Sequence, residues 1–284
     1  MTFRTLTAVS VLALTASSLF AAGHASDKGY ALAENGKTLV VMGDIKKPGE
    51  VETFALSEEL DAIAWRPVTQ ELLGFADGTI YVIDTASGAL TDLGATFMED
   101  AKIADDAMVA LDFNNKIDAV RAVSTNGDNL VYFPDGFGGG DEKANSVRRF
   151  TSLAYADGDA NAGAKPMVFA NAYTNAINDK TAGSTFQYAL DAETDALISL
   201  ANNKGTLDTI GKVMIGGAPA DISPWGGFDI KSPAEDENAA YAILQMEGAD
   251  SAGFYTINLD TGEATLISDL GMGGFSGLAV QQHK

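Results

Sequence analysis

The sequence predicts an all-β fold, a β-propeller of four-stranded blades. Three observations predict it. Thirty glycines stand against seven prolines, and short apolar runs alternate with Asn, Asp and Gly, the punctuation of strands and tight turns. One hairpin pattern recurs at 79–94 (TIYVIDTASGALTDLG), 185–200 (TFQYALDAETDALISL) and 253–271 (GFYTINLDTGEATLISDLG). A first-strand pattern recurs as AIAWRP (62–67), ALDFNN (110–115), SLAYAD (152–157), GGFDIK (226–231) and GLAVQQ (277–282). Repetition of four-stranded sheets about an axis is the propeller architecture.

Each hairpin consists of an alternating strand, an Asp, a polar turn and a second strand. In the first and third the turn ends in Gly, where a left-handed backbone carries no steric penalty. The first four first-strand segments each precede another strand: ELLGFADG, AVRAVSTNG, MVFANAYT and AAYAILQM. The segment 29–57 supplies three strands with no first strand, and GLAV is a first strand with nothing after it. Pairing these N- and C-terminal strands closes a fifth blade and covers the open edges. Five blades are expected, with six as the alternative count. GTLDTIGKV (205–213) is placed as an outer strand of the fourth blade, and Ser57 to Ile63 as a helical turn.

The first residues read MTFRTLTAVSVLALTASSLFAAGHAS. Arg4, the uncharged apolar run from Leu6 to Phe20 and the small residues flanking His24 have the layout of a secretory signal peptide. The expectation is a signal peptide over 1–25, a single domain over 26–284, and a periplasmic or extracellular location. No later apolar run is long enough to cross a bilayer, so no membrane insertion is expected.

The formal net charge is −21, a surface that repels nucleic-acid phosphate and anionic lipid and attracts cations or basic partners. There is no cysteine, which excludes disulfides, thiol nucleophiles and thiolate metal sites. The two histidines are His24, inside the expected signal peptide, and His283, near the end. A Ser-His-Asp hydrolase or a His-ligated metal or haem therefore has no imidazole to use.

Aligning the first strands sets Ala64, Asp112, Ala154, Asp229 and Ala279 at one register. Asp112 and Asp229 could converge on the central channel, to hold a cation or act as a carboxylate acid/base pair. The plainer use of an Asp beside a turn is to accept backbone N–H bonds. Arg121, in the apolar strand AVRAV, calls for a partner when buried, Asp112 or Asp118; a clamp on a substrate carboxylate is the other use. Asp157, Asp159 and Asn161 alternate as at the start of a calcium loop, but its twelfth position is Val168, so a plain Asx turn fits as well. Trp65, Trp225, Tyr155, Tyr173 and Phe228 are expected in the core between blades, with stacking on a flat ligand as the alternative.

The stretch LDFNNKIDAVRAVSTNGDNLV (111–131) resembles the DFNP…DRIRVVS…GQNLR signature of a secreted bacterial family known only as a domain of unknown function, number 4394. LLGFADGTIYVIDTASGALTDLG, FANAYTN, NNKGTLDTIG and TINLDTGEATLI carry the same resemblance, which runs from about Leu60 to Val280. It departs at Asn115, where the family has Pro, and at Ala119 and Val131, where it has Arg. The resemblance implies an exported, propeller-like domain and brings no established activity.

The functional expectation is a monomeric, non-enzymatic binding or scaffold domain for a protein or glycan partner, with calcium as a candidate stabilising ion. The alternative is a carboxylate-dependent hydrolase of a glycan or lactone, using Asp112 and Asp229.

Overall fold

The computed structural model describes residues 26–76 and 78–283; the expected signal peptide lies outside them. The fold is all-β. In chain order, β1 (Lys28–Ala33), β2 (Thr38–Met42) and β3 (Val51–Ala55) form one antiparallel meander. A second consists of β4 (Ala62–Arg66), β5 (Glu71–Ala76), β6 (Thr79–Ile83) and β7 (Leu90–Asp92). After the short β8 (Thr96–Phe97) come β9 (Val109–Asn114), β10 (Ala119–Ser124), β11 (Asn129–Phe133) and β12 (Ser146–Arg149), with β8 on the outer edge of β12. Then β13 (Ala154–Tyr155) precedes β14 (Val168–Tyr173), β15 (Gln187–Asp191), β16 (Ala196–Leu200) and β17 (Thr206–Lys212). Next are β18 (Met214–Ile215) and β19 (Ala218–Pro219), followed by β20 (Ile222–Ala234), β21 (Glu237–Met246), β22 (Ala252–Ile257) and β23 (Glu263–Asp269). Last, β24 (Ser276–Gln281) pairs antiparallel with β1, Lys28 opposite Gln281 and Tyr30 opposite Ala279.

The recurring hairpins are β6–β7, β15–β16 and β22–β23. Gly88 and Gly262 take the left-handed conformation at two of their turns, and Asp195 takes it at the third. The first strands pack in a cycle: β24 on β4, β4 on β9, β9 on β14, β14 on β20, and β20 on β24. Every neighbouring pair of sheets has its own apolar core. Leu73 and Phe75 meet Leu111 and Phe113; Ala110 and Val123 meet Val168 and Ile198; Ala170 and Leu190 meet Phe228 and Ala242. Ile243 and Phe254 meet Val40 and Leu278, while Tyr30 and Leu39 meet Ile63 and Trp65. Each fully buried Val, Leu, Ile or Phe among them contributes about 1.5–3 kcal/mol, so the spaces between the sheets carry most of the stabilisation. Where β20 and β24 meet, through the parallel bridge Gly226–Ser276, a Cβ on Gly227 would stand 2.3 Å from the Leu278 nitrogen. Glycine is what lets those two backbones approach.

Three expectations are corrected. SLAYAD is not a first strand: its ordered part, β13, is a two-residue outer strand running parallel to β17. The first strand of that sheet is β14, and the connection 156–167 carries the chain from the outer edge back to the axis. Leu153 and Tyr155 look like a first strand because both are buried against the core of that sheet. GTLDTIGKV therefore belongs, as β17, to the sheet that β14 opens, and not to the one opened by GGFDIK. Ser57 to Ile63 forms no helical turn, because Leu60 N–H donates to Gly36 O (3.0 Å) and Asp61 N–H to Phe75 O (2.8 Å) before β4 begins.

Candidate functional site

The first strands run in the same sense, so the fold has a starting end and a finishing end. At the finishing end the loop 174–186, between β14 and β15, reaches every other sheet. Its Asp179 N–H donates to Pro67 O (3.0 Å) and its Ala182 N–H to Asn115 O (3.1 Å). Asn178 Nδ2 donates to Gln282 O (3.0 Å), and Gly183 and Ser184 N–H donate to the Glu235 carboxylate (3.2 and 3.0 Å). Asn115, fully buried, donates through Nδ2 to the carbonyls of Asn175 (2.8 Å), Lys180 (3.2 Å) and Ile177 (3.3 Å). A proline there, as in the related signature, has no side-chain donor to do this. This loop lies across the finishing end of the axis.

Just inside, Asp112 and Asp229 sit buried on β9 and β20. Asp112 Oδ2 accepts the Tyr173 N–H of β14 (2.5 Å). Asp229 Oδ2 accepts the Val280 N–H of β24 (2.5 Å), and its Oδ1 the Ile230 N–H (2.6 Å). Each carboxylate thus ties its own first strand to the next one round. Burial pushes both acids up, Asp229 to about 7 despite its two amide donors; the Asp229 charge raises Asp112 further, well above the usual carboxylate range. Asn171, not Ala154, stands on the first strand of the β14 sheet. Its Oδ1 accepts from Gln187 Nε2 (2.9 Å), while its own Nδ2 and Gln187 Oε1 are buried without a partner.

Arg121 lies directly across from Asp112 on the neighbouring strand, yet neither expected carboxylate pairs with it. Asp118 instead holds Arg66 through two bonds, at 2.5 and 2.8 Å, linking β4 to the β9–β10 turn. The buried Arg121 donates to Tyr173 Oη (2.9 Å), Asn203 Oδ1 (2.8 Å) and Asn129 Oδ1, and lies 5.8 Å over the Phe150 ring. Burial pushes the Tyr173 phenol up to about 12, with Arg121 pulling the other way, so the hydroxyl stays protonated. The guanidinium stitches two sheets together through neutral acceptors. Asp159 and Asn161 both turn onto β17: Asp159 accepts from Thr209 N–H and Oγ1 (2.7 Å each), and Asn161 Nδ2 donates to Thr209 Oγ1 (2.8 Å). Asp157 is exposed beside them. Among the described residues no three His, Cys, Asp or Glu side chains gather as a metal site.

The starting end is different. Three cavities of about 610, 230 and 740 Å³ share lining residues there, and Asp106 lines all three. Trp225 and Met108 line the second and third; Asp61 lines the first and second. The loops just before β4, β9 and β14 contribute, together with the beginnings of β20 and β24. One wall is the strap 98–108, held from behind by Arg149, which donates to Asp100 O (2.6 Å), Lys102 O and the Asp128 carboxylate (2.8 Å). Of the five aromatic residues singled out from the sequence, the half-buried Trp225 lines the second and third of these three cavities and the other four line none of the three; Trp65 is buried in a stack on Tyr30, centroids 5.9 Å apart. Neither Asp112 nor Asp229 lines these cavities. Asp106, Met108 and the loop 174–186 carried no sequence signal, because their roles depend on which loops the topology gathers at each end.

Fold and site together define an all-β domain with one end of its axis covered and cavities at the other. No helix among the described residues is long and apolar enough to cross a membrane. The chain belongs to the family described as Domain of unknown function (DUF4394), whose model matches residues 39–279. No curated protein matches it in sequence. Among solved structures it is similar to a protein of unknown function from Bacteroides caccae (TM-score 0.41, 7% identity, covering 91% of this chain and 100% of the other). It is similar also to a TolB-like protein from Agrobacterium tumefaciens (TM-score 0.43, 9% identity, covering 91% and 99%). Likenesses this weak bear on neither ligand nor chemistry.

Proposed function

We propose that this chain is an exported five-bladed propeller, closed by the β24–β1 pair, that acts as a binding domain through its starting end. The blades are β24-β1-β2-β3, β4–β7, β9–β12, β14–β17 and β20–β23. The reading of the count rests on the cycle of first strands and the five cores between sheets. The observation that carries the functional reading is the inequality of the two ends. Loop 174–186 occupies the finishing end, whereas cavities that share Asp106 and Trp225 occupy the other. Small-molecule and peptide sites favour concave, partly apolar surfaces with a few polar groups at the rim.

The hydrolase alternative fares worse against the same geometry. Paired-carboxylate chemistry needs acids that face a wet cavity with an oxygen free for substrate or water. Asp112 and Asp229 each give one oxygen to a backbone amide of the adjoining first strand, and neither lines the cavities, a use that stabilises without catalysing. The test is intrinsic fluorescence, since the chain has two tryptophans and only Trp225 is at the cavities. A panel of penta-lysine, penta-glutamate, an N-acetylglucosamine oligomer and calcium chloride is titrated into the protein and into Trp225→Phe. At least one member should give a saturable change that Trp225→Phe loses. Saturable changes that all survive Trp225→Phe, or silence from the whole panel, would count against this end as the binding face.

A further inference from the structure

We propose that the cleft at Trp225 holds an extended lysine- or arginine-rich peptide segment, an assignment that rests on reading the starting end as the binding face. The cleft is made of the three cavities, which share lining residues. From Phe97 and Met98 at one side it passes Asp106 and Trp225 to Met167 and Glu193 at the other. That shape suits a chain lying across the mouth, and loop 174–186 leaves nothing for it to thread into.

The chemistry of the lining selects the class of chain. The indole of Trp225 and the thioethers of Met108 and Met167 give flat, polarisable surface on which a guanidinium or an ammonium stem can rest. Asp105, Asp106, Glu99 and Glu193 stand along the same walls, exposed and without an ion-pair partner among the described residues. Glu59 is already taken by Lys37 at 3.3 Å. Lys102 and Lys165 are the basic residues of the lining, outnumbered by its carboxylates. A basic chain gains from both kinds of contact at once: its stems cover the indole and thioethers, and its charges meet carboxylates that would otherwise repel one another. An acidic peptide meets a repulsive wall, and a neutral sugar leaves the carboxylates unanswered. The net charge of −21 steers a basic partner toward the protein, but the cleft, not the overall charge, is what gives it a seat.

The experiment is a titration with penta-lysine, read by Trp225 emission in a Trp65→Phe background. If that variant does not fold, the difference between the native protein and Trp225→Phe serves instead. Saturable binding is expected, weakened about tenfold or more by Asp105→Asn/Asp106→Asn, and lost in about 0.5 M NaCl, where charges are screened over about 4 Å. Glu50→Gln/Glu52→Gln removes the same charge at the start of β3, outside the lining of these cavities, and should leave the affinity unchanged. Equal weakening by both double variants would reduce the binding to bulk electrostatics and overturn the proposal, as would the absence of saturable binding. A response to the N-acetylglucosamine oligomer without one to penta-lysine overturns the basic peptide but keeps the binding face. A penta-lysine response that Trp225→Phe retains overturns both.

Discussion

Raising the pH from about 5 to about 8 should destabilise this protein through two side chains. Burial pushes Asp229 from its ordinary 3.8 to about 7, and burial plus the Asp229 charge push Asp112 the same way. The folded state therefore holds protons that the unfolded chain releases near pH 4. For Asp229 this stability is fully present below about 4, falls as the pH climbs, and levels off above about 7; Asp112 acts in the same direction. A shift from 3.8 to about 7 corresponds to about 4 kcal/mol over the whole range for Asp229, of which about 3 kcal/mol falls between about pH 5 and about pH 8. At an m-value of about 3 kcal/mol per M, that moves the urea midpoint by about 1 M or more. Repulsion across the whole acidic surface acts in the same direction, so the assignment needs a variant. Asp229→Asn keeps the shape and removes the titration, but it turns an amide NH2 toward a backbone N–H, of Ile230 or Val280, at a cost of about 1–3 kcal/mol. Urea unfolding followed by tryptophan fluorescence should then show the two stability curves converging or crossing. The variant is weaker near pH 5, and at least level with the native protein near pH 8. Parallel curves across that range would refute the argument, because they would mean that Asp229 does not exchange its proton on unfolding.

Other perturbations have equally definite outcomes. Asp118→Asn keeps a residue that tolerates the left-handed backbone at this position (φ 50°) but breaks the two-pronged bond to Arg66, and should cost about 1–3 kcal/mol by urea unfolding. Arg121→Ala leaves Tyr173, Asn129 and Asn203 without their shared donor; a loss of about 4 kcal/mol should lower the melting midpoint by about 10 °C in a calorimeter. Asn115→Ala frees three carbonyls of loop 174–186, so hydrogen exchange should speed up at Ala182 and its neighbours while amides in β4–β7 keep their protection. Arg149→Ala releases the strap 98–108, which should raise proteolytic cleavage between Asp100 and Asp106 without a comparable change elsewhere.

Much of the fold was legible because it is written in local patterns. The Asp-turn-Gly hairpins around Gly88 and Gly262, and the unmatched first strand at 277–282, need only alternation and turn chemistry to be read. Reading failed at β13 and β14 because both are apolar, and alternation reports burial without saying which sheet edge a strand occupies. The candidate site was less legible for a related reason. Asp112 and Asp229 were found as an aligned pair, but whether they face water or backbone amides depends on Tyr173 and Val280, which lie 61 and 51 residues further along. Arg121 called for a partner, and a carboxylate was the natural candidate; the fold delivers a phenol and an amide from distant segments and the amide of Asn129 from the neighbouring strand. Nothing local marks Asp106 as a residue that lines three cavities.

The seam between β1 and β24 also sets an order of events in the life of the chain. Tyr30 and Gln281, joined by a 2.5 Å hydrogen bond, are 251 residues apart. On the ribosome β1 is made before, and its neighbour β24 after, all the strands that lie between them. Until then β1 presents a bare, apolar edge able to add a strand from any other nascent copy. Cells making this protein at a high rate should therefore accumulate paired, incomplete chains, and whatever shields β1 during that wait governs the yield more than the stability of the finished molecule does.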